Sequence, residues 1–237
     1  MSHSLLSRPF LKFLILFFGL LLPALGQEPA ATPNEQEAKP QLRFICVSSL
    51  ADEQEVVLAS KDDKGEWLEL AKVKLRSSFI TEGLPAKSGE LHLALREAGT
   101  LRSIGKFNLG AARRALVVLI ADPPKKSYMA SVIDPAKLAF TKGSVLVINF
   151  SSLPGMVLLG SKKLAVNPGQ REVAKPTLES NGMYRMLVAF LDPNKKTVPC
   201  YDRYIPGNSD SRDLLLLLPD PTLGLKVFSL PVFGEME

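Results

Sequence analysis

The chain has little of the side chains that carry most metal and nucleophilic chemistry: two histidines, two cysteines and one tryptophan among 237 residues. His3 lies in the N-terminal leader, so His92 is the one imidazole beyond it, and a single imidazole cannot build a multi-histidine metal site. Carboxylates are scattered. The nearest approach to a calcium loop, Asn208-Ser209-Asp210-Ser211-Arg212-Asp213, places an arginine among its acids and lacks the loop spacing. Gly99–Lys106 (GTLRSIGK) has five residues between its glycines, and Phe107 stands where a phosphate loop needs Ser or Thr. His92 alternates with Leu91, Leu93 and Leu95 and reads as a solvated strand residue with no motif partner. These absences predict no metal, no cofactor and no enzymatic activity. Long apolar runs are missing as well. Phe13–Leu22 and Leu214–Leu218 are both shorter than the ~17–25 residues of a membrane-spanning helix.

Charge is nearly balanced. The formal net charge is +5, from 29 basic and 24 acidic residues. Arg8 and Lys12 belong to the leader, which leaves 27 cations against 24 anions beyond it. That mild excess predicts no nucleic-acid partner.

The leader itself has three parts: a basic start, the apolar run Phe13–Leu22, and Ala24-Leu25-Gly26 with small residues at −3 and −1. This pattern predicts a signal peptide over residues 1–26 and an exported chain, periplasmic or secreted, with no membrane span after cleavage. Residues 27–40 (QEPAATPNEQEAKP) hold no large apolar side chain and read as a flexible leader.

What the remainder does have is an echo of itself. Arg212–Pro221 (RDLLLLLPDP) repeats the plan of Arg114–Pro124 (RALVVLIADPP): an arginine, a spacer, an aliphatic run, then Asp-Pro. Each run suits a strand buried on both faces, and each Asp-Pro should stop it. Leu42–Leu50 matches Val145–Leu153, Val56–Lys61 matches Met156–Lys162, and Gly89–Arg96 matches Gly182–Ala189. The order is the same in both halves, with offsets between 93 and 103. Tyr128–Ile133 and Lys226–Leu230 add one more strand to each copy. Matches in register make an internal repeat. Six or seven short strands per copy, separated by Gly, Pro, Asn and Asp, predict an all-β chain of two tandem β-sandwiches, over residues 41–134 and 144–237. In pattern these copies resemble the immunoglobulin-like and related β-sandwich modules of exported bacterial proteins. The Cys…Trp…Cys spacing of true immunoglobulin domains is absent, so no site transfers with the resemblance. The join, Asp134–Ser144, is short enough to hold the copies against each other and could carry one helical turn at Ala136–Phe140.

Cys46 and Cys200 could close one disulfide in an oxidising compartment, or could be two free core thiols. The position matching Cys46 in the second copy is Asn149, so no pairing is duplicated. Asn149-Phe150-Ser151 forms a glycosylation sequon, but on a strand expected to be buried. Candidate binding residues are few. Tyr201 and Tyr204 flank Arg203 in what reads as a loop (CYDRYIPGNSD), the composition favoured at interaction hot spots and sugar platforms. Trp67 is the other candidate, with an edge-strand anchor as its ordinary reading. The expectation is a non-catalytic module of a bacterial envelope that binds another envelope protein. The alternative is a carbohydrate or small-ligand module using the Tyr201–Tyr204 segment.

Overall fold

The structure is a computed structural model that describes residues 41–232. The expected signal peptide (1–26), the leader (27–40) and residues 233–237 of the second repeat lie outside the described residues.

The first copy comprises β1 (Gln41–Ser48), β2 (Glu53–Lys61), β3 (Trp67–Arg76), the short β4 (Phe79–Ile80) and β5 (Leu84–Pro85), β6 (Glu90–Glu97), β7 (Thr100–Asn108), β8 (Arg114–Asp122) and β9 (Ser127–Ile133). The second comprises β10 (Val145–Asn149), β11 (Gly155–Leu159), β12 (Lys162–Val166), β13 (Arg171–Ala174), β14 (Met183–Leu191), β15 (Thr197–Pro206), β16 (Arg212–Asp220) and β17 (Gly224–Val232). Each copy is a β-sandwich, and the two share one topology. One sheet runs β4-β1-β8-β9, with β5 also on β1, and its counterpart runs β13-β10-β16-β17. The other pair runs β3-β2-β6-β7 and β12-β11-β14-β15. In both copies the first strand pairs parallel with the aliphatic strand, and all other pairings are antiparallel. The parallel registers agree over Leu42–Cys46 and Val145–Asn149. Leu42 lies opposite Ala115, and Val145, at the matching position, lies opposite Asp213.

Asp-Pro ends both aliphatic strands as expected. β8 stops at Asp122 before a 3-10 turn at Pro123–Lys125, and β16 stops at Asp220. Proline has no N–H to continue the ladder. The Ala136–Phe140 segment forms turns, not a helix.

The sheets stack in four layers. Leu42, Phe44, Val117 and Leu119 point from the first inner sheet into its own core against Leu58, Leu91 and Leu93. Val145, Val147, Leu215 and Leu217 do the same in the second copy, against Val157, Met186 and Val188. The alternate residues form a third core between the inner sheets: Ile45, Leu116, Val118 and Ile120 against Leu146, Ile148, Leu214, Leu216 and Leu218. Leu214 to Leu217 are fully buried and Leu218 is nearly so. This explains the unbroken aliphatic runs: each strand has one face on its own sandwich and the other on its sister. Polar latches reinforce the seam. Arg171 donates from Nη1 to the Val132 carbonyl at 2.8 Å and from Nη2 to Ser131 Oγ at 2.7 Å. Buried Arg212 donates from Nε to the Phe140 carbonyl at 2.8 Å, tying the join to β16.

Both cysteines are free thiols, so the Cys46–Cys200 disulfide is not formed. Cys46 belongs to the first sandwich core and donates to the Ser48 carbonyl at 3.2 Å. Cys200 packs against the second core from β15 and donates to the Val188 carbonyl at 3.4 Å. The apolar layer between the inner sheets separates those cores. Burial pushes the Cys46 thiol up to about 11, which leaves it inert as a nucleophile. The sequon is buried too. Asn149 Nδ2 donates to the Leu153 and Val166 carbonyls at 2.8 Å, and its Oδ1 accepts from the Ser151 hydroxyl at 2.7 Å.

Candidate functional site

The outer sheets are where the two copies stop resembling each other. Register equates Glu55, Val57, Ala94 and Arg96 of the first with Met156, Leu158, Leu187 and Ala189 of the second. In the first copy the charged members are paired across strands. Lys72 meets Glu55 at 3.4 Å, and Arg96 donates to Glu69. The long side chains of such pairs shield the apolar positions between them, Val57 and Ala94. In the second copy the same positions are apolar, with Met156, Leu158 and Leu187 only partly covered and Ala189 buried. They line an open groove of about 460 Å³ bounded by Lys163, Ala165 and Thr197. Lys163 holds the position of Lys72, but Met156 has replaced the glutamate, and no ion pair to Lys163 exists among the described residues. The groove is therefore an apolar floor with an uncompensated cation at its edge.

Part of the sequence-predicted site lies on the same outer sheet, outside the lining of the groove. Tyr201, Arg203 and Tyr204 are not in a loop; they lie on β15, an edge strand. The strand holds Pro199 and Pro206, and proline is tolerated on a sheet edge. Alternation splits the aromatics. Tyr201 packs against the second core, whereas Tyr204 is 55% exposed on the outer face, opposite Arg185. Arg185 forms a two-point ion pair with Asp202, Nε–Oδ1 2.8 Å and Nη2–Oδ2 2.6 Å, which holds Asp202 below the usual carboxylate range. Arg203 is exposed on the same strand. Trp67 is in the other sandwich, on edge strand β3, and is not brought to the tyrosines.

Trp67 instead covers His92, edge to face at 5.1 Å, with Lys61 Nζ 4.9 Å from the indole centre. His92 is thereby buried, 6% exposed, contrary to the solvated residue expected from alternation. Its neighbours were equally hidden from the sequence. Nε2 lies 3.2 Å from the Glu90 carboxylate, and Nδ1 lies 3.1 Å from Ser103 Oγ, whose hydroxyl donates to the Gly105 carbonyl at 3.3 Å. Burial lowers the imidazole's pKa. Hydroxyl, imidazole and carboxylate are thus in line, but the cleft of about 380 Å³ bordering His92 is lined by Ser60, Asp62, Lys87 and Glu90, and Ser103 is outside it. Among the described residues no group of three or more His, Cys, Asp or Glu side chains is placed to hold a metal.

A third cavity, about 350 Å³, opens at the end of the second sandwich where β14 and β16 begin. Tyr184 and Asp213 line it, and the Tyr184 hydroxyl is buried with no hydrogen-bond partner. Such a group costs about 1–3 kcal/mol. The buried tyrosine of the first sandwich shows the contrast. Tyr128 OH bonds Gln54 Oε1 at 2.9 Å, Ser49 Oγ at 3.1 Å and the Leu50 N–H at 3.1 Å. Burial raises the Asp213 carboxyl's pKa, partly offset by Ser211, and burial followed by the Asp213 charge raises that of Tyr184. Sequence alone missed this pair because the two residues lie on different strands.

No protein-family model matches this sequence, and a search of curated proteins finds no match to it.

Proposed function

We propose that this chain is a non-catalytic, exported interaction module of a bacterial envelope that binds another protein through the outer face of its second sandwich. The carrying observation is the apolar groove floored by Met156, Leu158, Leu187 and Ala189, on a sheet whose sister is closed by ion pairs. Its concavity favours an inserted side chain over a flat lipid surface, and the lone Lys163 asks for a carboxylate. The partner therefore presents an apolar side chain flanked by Asp or Glu. Export rests on the leader pattern at residues 1–26.

Affinity isolation from the native envelope tests it. Leu187→Asp and Lys163→Glu, both on the outer face, should leave the melting temperature nearly unchanged. Each should weaken capture of the same partner by about tenfold or more. Undiminished capture by both variants would remove this face as the binding surface.

A further inference from the structure

We propose that the cavity at Tyr184 and Asp213 binds a neutral polyhydroxyl ligand, a sugar unit of a glycan. The duplication supplies the control. Register places Leu91 where the second copy has Tyr184, and Ala115 where it has Asp213. Both first-copy residues are buried and apolar. The sandwich therefore needs neither the hydroxyl nor the carboxylate, and both burden folding where they stand.

The lining has the mixed polarity that sugars require. Asp213 accepts, Lys175 donates, and the Tyr184 and Ser209 hydroxyls can do either. Asn208 Oδ1 already accepts from the Asp210 N–H at 2.9 Å, which leaves its amide NH₂ as a donor. An anion would face Asp213, and a cation would face Lys142 and Lys175. A neutral polyol meets no like charge, and each of its hydroxyls can both give and receive. Leu178, 51% exposed, adds an apolar wall for the C–H face of a pyranose. It can lie there because residue 207 is glycine: a Cβ would stand 2.6 Å from Leu178 Cδ2. The volume is at the small end of ligand sites, suited to one or two sugar rings. The orphan hydroxyl is then a group whose partner arrives with the ligand.

This site is independent of the groove on the outer face, and its test separates the two. The full exported chain is titrated calorimetrically with neutral oligosaccharides of glucose, galactose, mannose and N-acetylglucosamine. At least one should bind saturably to the wild type. Tyr184→Phe and Asp213→Asn should each weaken it tenfold or more while melting at or above the wild-type temperature, and Leu187→Asp should leave it unchanged. The proposal is overturned by the absence of saturable binding to every neutral probe. It is also overturned by wild-type affinity in either cavity variant, or by equal loss in Leu187→Asp.

Discussion

At the scale of single residues, the second sandwich carries polar groups that its own fold does not satisfy. Tyr184 OH is the clearest, and Tyr184→Phe should raise the free energy of unfolding by about 1 kcal/mol in chemical denaturation. A loss of that size would mean that the hydroxyl is bonded. Asp213 acts in the same direction. Its pKa in the folded chain is raised, so it favours folding only when protonated, and stability is lost as pH rises through that value. Asp213→Asn should therefore stabilise the protein at neutral pH, with the gain shrinking as pH falls into the ordinary aspartate range. His92 has the opposite sign. Burial lowers its pKa, so the unfolded chain takes the proton first, and stability falls as pH drops below the ordinary histidine value of about 6.5. Glu90, Lys61, Lys106, Ser103 and Trp67 are the groups that face it. Thermal melts from about pH 7 to 5 should be flatter for His92→Gln than for wild type, and parallel curves would show that His92 is not sheltered.

At the scale of elements, β8 and β16 set the architecture. Leu215 points into the second sandwich core and Leu216 into the layer between the copies. Leu215→Asp and Leu216→Asp should each cost several kcal/mol, about 3–5, because either puts an unpaired charge in a closed core. Normal folding of the Leu216 variant would show that the layer between the sheets is not dry. These strands were readable in the sequence because burial on both faces removes alternation, and because Asp-Pro marks their ends. β1, β2 and β6 were readable through their echoes in β10, β11 and β14. The edge strands β9 and β17 were readable as the strand after each aliphatic run, but the edge strands β3 and β15 were not. β3 has only Val73 and Leu75 buried, and β15 carries two prolines, so neither shows a half-buried strand's pattern. The candidate sites were hidden for a related reason. Whether Lys163 has a partner, or Tyr184 a polar neighbour, depends on which residues register places opposite, and one strand read alone does not say.

At the scale of the molecule, the duplication has two consequences. Each sandwich covers the other's inner sheet, so neither is a complete unit. Residues 144–237 expressed alone would bare Leu146, Ile148, Leu214, Leu216 and Leu218. That fragment should self-associate in sedimentation, since soluble monomers rarely expose such a face; a stable monomer would mean that the central layer is dispensable. The second consequence is that the copies differ at their surfaces. The first copy closes its outer face with ion pairs and fills the sister cavity position with Leu91 and Ala115, whereas the second leaves a groove and a polar cavity open. The most direct measurement is photo-crosslinking in the cells that make the protein, from two matched positions, Met156 and Glu55, each replaced in turn by a photoreactive residue. Binding by the second sandwich predicts a discrete adduct with one protein from position 156, abolished by Lys163→Glu, and none from position 55. An adduct from position 55 alone, or the same adduct from both, would contradict it.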